Sequence, residues 1–133
     1  MRLAYNGAPF HGWQTQPNAV SVQETLEKAM SMVMRMPMAI TGAGRTDTGV
    51  NARTMVAHFD VEEPISDTAR LVRQLNSIVG RDIAVYQIVR VATRRMHALM
   101  PQAVRINILS DWKNRRSAIL SAGLLPISWM WRR

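Results

Sequence analysis

Two amphipathic helical segments, each lying between short apolar segments, constrain the fold of this 133-residue chain more than any other feature. The first begins at Ser21, with Glu24 three residues later as in a capping box, and Pro37 ends it. Its apolar residues recur at helical spacing and are expected to face a core; they are Val22, Leu26, Ala29, Met30 and Val33. Glu24 and Lys28 have the spacing of a stabilising ion pair on the opposite side of the helix.

The second helical segment has the same organisation. It is expected to begin at Ser66 or Asp67, both of which are good N-cap residues, and to end at Gly80. Its apolar residues again lie on one side, which predicts a second helix on the same core; they are Leu71, Val72, Leu75, Ile78 and Val79.

Four strand-like segments surround the two helices, at residues 2–6, 38–41, 54–61 and 83–91. The order is therefore β-α-β-β-α-β, which predicts an α+β, ferredoxin-like fold with two helices on one face of an antiparallel sheet. Residues 93–133 lack helix caps and a consistent hydrophobic period, so an irregular, poorly ordered tail is expected there. The predicted organisation is one domain over residues 1–92 followed by that tail.

Between the second and third strands lies a glycine-containing loop, GAGRTDTGVNA, from Gly42 to Ala52. It contains one cation, Arg45, and one carboxylate, Asp47, and two interpretations are open. A bend between the glycines could bring both side chains into one cleft, where the guanidinium would keep the carboxylate ionised. Alternatively, the loop is a hairpin connection whose polar side chains cap the backbone, and spacing alone favours this second interpretation. A phosphate-binding glycine loop is rejected, because the third glycine is misplaced and a strand follows where a helix should.

The same loop resembles GAGRTDAGVHA, the active-site signature of the TruA-type tRNA pseudouridine synthases. The opening LAYNG is similar to that family's first strand and YDG turn, and FHGWQTQPN to its GWQ-Q-P segment. The start of the first helix, SVQE, and the QLN of the second also match. The resemblance covers residues 1 to 91 in family order.

The resemblance implies isomerisation of uridine to pseudouridine in the anticodon arm of tRNA, without a cofactor or a metal. Asp47 matches the catalytic carboxylate, and Arg45 is implied to assist it and to bind RNA. Gln14, Gln16 and Asn51 are implied RNA contacts, and the family's cleft is shared between two subunits of a homodimer. Four positions differ from the family pattern; Asn6 replaces Asp, Ala8 replaces Thr, Thr48 replaces Ala and Asn51 replaces His.

Composition limits the remaining possibilities. The chain has no cysteine, which excludes disulfides and cysteine-based zinc sites. No apolar run is long enough for a membrane span, so we expect a soluble cytoplasmic protein. The net charge of +8 is compatible with RNA binding. A non-catalytic, RNA-binding ferredoxin-like domain is therefore the alternative to an enzyme.

The charge is unevenly distributed along the chain. Residues 1–92 contain 9 Lys and Arg against 8 Asp and Glu, whereas residues 93–133 contain 8 against 1. Three of the four tryptophans also lie in the second region, where the resemblance ends. We therefore expect the tail to be read in a shifted frame, and the fragment to have weak or no activity by itself.

Overall fold

The computed structural model describes residues 1–91 and the backbone of residues 105 and 106. The elements are β1 (Arg2–Tyr5), α1 (Val22–Met34), β2 (Thr41–Gly42), β3 (Ala52–His58), α2 (Thr68–Ile78), β4 (Ile83–Gln87) and β5 (Arg105–Ile106). The order β2-β3-β1-β4 and the antiparallel pairing of all neighbours define a ferredoxin-like α+β fold, as predicted. The irregular tail was predicted for residues 93–133. These lie outside the described residues, except for the backbone of residues 105 and 106, which forms β5.

Both helix starts follow from the sequence. The Ser21 side chain accepts a hydrogen bond from the Glu24 amide at 3.2 Å, and Lys28 pairs with the Glu24 carboxylate at 2.6 Å. Of the two candidate caps for α2, Asp67 fills the role by accepting from the Arg70 amide at 2.8 Å. Each cap satisfies a backbone donor that has no partner within the helix.

The core lies between the sheet and the two helices. It combines the inward face of β1, β3 and β4 with one side of each helix; the fully buried residues with the largest side chains include Tyr5, Leu3, Leu26, Met30, Ile40, Met55, Leu75 and Ile83. Met55 and Ala57, two residues apart on β3, are both buried, as expected for one face of a strand that packs on a core. Ile78 differs from the prediction: its side chain is 39% exposed at the last turn of α2, while Leu71, Leu75 and Val79 cover the core.

The second strand is shorter than expected, because side chains of α1 bind the backbone that leads to it. The Ile40 amide donates to Glu27 Oε1 at 2.9 Å, and the Ile40 carbonyl accepts from Gln23 Nε2 at 2.7 Å. The Met38 amide donates to Ser31 Oγ at 2.9 Å. With these groups occupied, only residues 41–42 pair with β3, as an edge strand opposite His58 and Ala57.

Two other strands also end early. The third strand begins at Ala52 and ends at His58, because its neighbour β2 reaches no further than His58. The fourth ends at Gln87, opposite Arg2 of β1. The segment at 105–106 pairs with the other half of the same β3 edge, with Ile106 opposite Ala52 and Arg105 opposite Thr54.

Candidate active site

The loop between β2 and β3 runs antiparallel to the segment that follows β1, and the two are joined along their length. The Trp13 amide donates to the Thr46 carbonyl at 3.1 Å, and the Gly49 amide donates to the Phe10 carbonyl at 3.2 Å. The loop is therefore supported by backbone hydrogen bonds from the core side and is exposed on the other.

Three successive residues of the loop alternate in exposure. Thr46 is buried, with 8% of its surface exposed, whereas Arg45 and Asp47 on either side of it are exposed. This alternation is expected of an extended segment, in which residues i and i+2 lie on the same face. The loop thus presents the cation and the carboxylate together, on the outer face.

The buried residue between them is held by two aromatic residues. Thr46 Oγ1 and the Tyr5 hydroxyl form a hydrogen bond of 2.7 Å inside the domain. The Tyr5 ring packs on Trp13, with centroids 6.1 Å apart, and the Trp13 indole lies so close to Gly42 that no Cβ would fit there. Burial raises the pKa of the Tyr5 hydroxyl, against a smaller opposing effect of the bond to Thr46, so the hydroxyl stays neutral.

The carboxylate residue begins a tight turn. The Val50 amide donates to the Asp47 carbonyl at 3.2 Å, and Gly49 has a φ of +78° at the third position of the turn. A positive φ at this position is typical of a type II turn and explains the glycine.

The predicted site residues divide into two groups. Arg45, Asp47 and Gln14 are exposed. Arg45 and Asp47 lie in the loop itself, and Gln14 directly follows Trp13, whose amide donates to the loop. The side chains of the other two form hydrogen bonds within the protein: Gln16, which is also exposed, donates from Nε2 to the His11 carbonyl at 2.9 Å, and the half-buried Asn51 accepts through Oδ1 from the Gly7 amide at 2.7 Å.

Arg45 and Asp47 do not form an ion pair, which was one of the two interpretations of the loop. Within residues 1–91, the structure pairs Lys28 with Glu24 and brings no cation within 4.0 Å of the Asp47 carboxylate. Both loop side chains are exposed to solvent. They are therefore available to an incoming molecule.

Sequence reasoning missed Tyr5 and Thr46 as supports of the loop. The signal was present in Arg45-Thr46-Asp47, because an extended segment that exposes its first and third residues turns the second inward. A tyrosine hydroxyl within a buried apolar strand also requires a partner.

Neither a membrane span nor a metal cluster is found in the described part of the chain. No helix in residues 1–91 is long and apolar enough to cross a bilayer. In the same range, no three His, Asp or Glu side chains are grouped so that they could hold a metal ion.

Fold and loop together define a ferredoxin-like domain that presents an arginine and a carboxylate at one end of its sheet. The chain is 55% identical over 89 residues, or 67% of its length, to tRNA pseudouridine synthase A of Parabacteroides distasonis. It is 51% identical over 86 residues to the protein of the same name from Porphyromonas gingivalis, and 32% identical over 133 residues to that of Aquifex aeolicus. This chain belongs to the tRNA pseudouridine synthase A family. No family model matches it.

The chain spans only part of these relatives. It covers 35% of the Parabacteroides protein and 53% of the Aquifex protein, in their N-terminal half. The first match covers 89 residues, about as many as the 91 expected, whereas the Aquifex alignment includes the whole chain. The expected extent of about 91 residues therefore agrees with the length of some matches and is exceeded by others.

Proposed function

We propose that this chain is the N-terminal catalytic part of a tRNA pseudouridine synthase that isomerises uridines of the anticodon arm. The observation that carries the proposal is the joint exposure of Arg45 and Asp47 on either side of the buried Thr46. A family member must present its carboxylate to a nucleotide that has left the base stack. An exposed carboxylate on a loop fixed by hydrogen bonds meets that requirement.

In the proposed reaction, the uracil ring is detached from C1′ of the ribose, turns, and is rejoined through C5. Asp47 acts on the flipped nucleotide, either by adding to the base or ribose or by removing a ribose proton. No group is oxidised or reduced. The N1–C1′ bond breaks and a C5–C1′ bond forms, the proton displaced from C5 is released to solvent and N1 takes up one in its place, and any bond formed to Asp47 is broken again. The reaction as written needs no redox group, and the family resemblance implies that it needs no cofactor.

Arg45 is assigned to the phosphate backbone next to the target nucleotide. Its guanidinium is exposed and lies on the same outer face as Asp47, two residues away. A planar guanidinium binds two phosphate oxygens at once and would place the nucleotide relative to the carboxylate. Gln14 is assigned to the same RNA surface, because it is exposed beside the loop.

We further propose that the complete protein is a homodimer located in the cytoplasm, as the family resemblance implies. The chain covers 35–53% of the relatives named above, so the remainder of a complete site would come from sequence beyond these residues. That same observation favours the second candidate function, a non-catalytic RNA-binding domain.

The deciding experiment measures pseudouridine in unmodified tRNA after incubation with the purified chain. We expect RNA binding together with weak or absent turnover by residues 1–133. The same assay on a form extended by the family's C-terminal half should show full turnover. If the extended form binds tRNA and produces no pseudouridine, the non-catalytic function is correct.

A further inference from the structure

Asn51, at the end of the loop, has its side-chain oxygen occupied inside the protein. Asn51 Oδ1 accepts a hydrogen bond of 2.7 Å from the amide of Gly7, a buried residue in the turn after β1. At least one of the two lone pairs of this oxygen is therefore used within the protein. The contact points to a role in the protein's own geometry.

A second observation concerns the two backbones that this bond brings together. At Gly7, the place that a Cβ would take is filled by the backbone of Val50, including its carbonyl group. The turn after β1 and the end of the loop are therefore in direct van der Waals contact. Asn51, the residue after Val50, adds a hydrogen bond to the same glycine, Gly7.

The contact fixes the turn that contains the carboxylate residue. Val50 donates its amide to the Asp47 carbonyl at 3.2 Å, so the residue packed on Gly7 is also the last residue of the turn that begins at Asp47. The Gly49 amide adds a bond to the Phe10 carbonyl at 3.2 Å. Any displacement of Val50 from Gly7 would move the turn and with it the Asp47 side chain.

We propose that Asn51 is a positioning residue, whose side-chain oxygen docks the loop on the turn after β1 and thereby fixes the direction in which Asp47 is presented. The claim that the direction of the Asp47 side chain matters for catalysis rests on the proposed function. The docking of the loop through Asn51 is independent of it. The required group is a hydrogen-bond acceptor branched at Cγ. Aspartate provides the same acceptor, and leucine has the same branching without one.

The test is amide hydrogen exchange, measured by NMR at pH 7 on the whole 133-residue chain carrying Asn51→Leu or Asn51→Asp. In Asn51→Leu, we expect exchange at Gly7 and Val50 to accelerate about fivefold or more, the effect of losing one hydrogen bond. In Asn51→Asp, both rates should stay within about twofold of the parent chain.

The internal control has the same chemistry elsewhere in the domain. The Val85 amide donates to Asn76 Oδ1 at 2.8 Å, between α2 and β4. Its exchange rate should be the same in all variants. Equal acceleration at Val85 in Asn51→Leu would show general destabilisation and overturn the proposal.

Two further results would also overturn it. One is faster exchange at Gly7 with no change at Val50, because the bond would then not hold the turn at Asp47. The other is failure of Asn51→Asp to protect either amide. If Asn51→Leu does not fold, Asn51→Ala replaces it. If neither folds while Asn51→Asp does, the side chain serves the whole domain and the positioning role is wrong.

These measurements are independent of catalysis. A finding that no form of the protein makes pseudouridine would refute the proposed function and leave the exchange rates unchanged. Normal exchange in Asn51→Leu would refute the docking and leave the assay for pseudouridine unaffected.

Discussion

The hydroxyl groups of Tyr5 and Thr46 lie 2.7 Å apart inside the domain and join the first strand to the middle of the exposed loop. Removing either hydroxyl leaves the other buried without this partner, which costs about 1–3 kcal/mol. We expect Tyr5→Phe and Thr46→Val each to lower the free energy of unfolding by about that amount. Urea unfolding measures it.

The same two positions provide the control. Because the double variant removes both polar groups, its loss of stability should be clearly smaller than the sum of the two single losses. Thr46→Ser keeps the hydroxyl and should lose less stability than Thr46→Val. Simple additivity of the two single changes would contradict the contact.

Alkaline pH should weaken the domain through its tyrosines, of which the chain has two. Burial raises the pKa of Tyr86 and, more than the bond to Thr46 lowers it, that of Tyr5. In the unfolded chain both ionise near pH 10, while the folded protein retains their protons. The unfolded state then binds fewer protons, so stability is complete below about pH 10 and falls as the pH rises further.

This dependence can be followed by urea unfolding at a series of alkaline pH values, with tyrosinate absorbance recorded in parallel. The absorbance should rise together with unfolding. In Tyr86→Phe the decline should be less steep. Ionisation of both tyrosines in the still folded protein near pH 10 would show that they are not protected.

Local signals predicted the architecture well, because each rests on residues close in sequence. Helical spacing and the caps at Ser21 and Asp67 located both helices, and the order of strands and helices identified the sheet. The error at the second strand came from Gln23 and Glu27, whose side chains bind the backbone at Ile40 across 17 and 13 positions. Propensity carries no information about such a contact.

The candidate site was predicted only in part, because one of the contacts that support it joins residues far apart in the sequence. Arg45 and Asp47 were identified through the resemblance, and both side chains are exposed. They do not form an ion pair with each other, since an extended segment whose buried side packs on the domain presents both to solvent. The supporting bond joins Tyr5 and Thr46 over 41 positions and could not be inferred from local spacing.

Asp47→Asn should abolish turnover in a full-length form of the protein. The amide cannot act as an ionised nucleophile or base, so we expect at least about a hundredfold loss of rate with tRNA binding retained. Tritium release from 5-tritiated uridine in tRNA measures the rate. The matched control is Asp60→Asn, an exposed carboxylate two residues after the end of β3, which should behave as the parent protein. Near-normal release by the Asp47 variant would contradict its catalytic role.

Arg45→Lys should impair the reaction although the charge is kept. An ammonium is a point charge and cannot bind two phosphate oxygens in the fixed geometry of a guanidinium. We expect slower tritium release from 5-tritiated uridine by the full-length form. Arg70→Lys, on the exposed side of α2, provides the control for any general effect of the exchange. Unchanged kinetics in the Arg45 variant would show that this side chain is only a solvated charge.

The tail prediction concerns Met96 to Leu109, which reads MHALMPQAVRINIL. If its codons are regrouped one base upstream, they can spell DARFDATSRTYKYF. That string resembles the family's segment after the fourth strand, including the RTY whose tyrosine stacks on the target base. The G of each Met codon and the first two bases of the next codon fix both alanines, whereas most other positions are only permitted.

The regrouped string would place its first tyrosine at position 106. In the sheet, the backbone of Ile106 lies opposite Ala52, directly after the loop that carries Asp47. An aromatic residue there would stand at the edge of the candidate site, which is where a base leaving the stack could pack on it. Sequencing the gene tests the idea, and we expect the shifted frame to continue the family sequence. The idea is wrong if the codons cannot be regrouped into that string, or if the present frame proves intact and residues 93–133 form a packed structure.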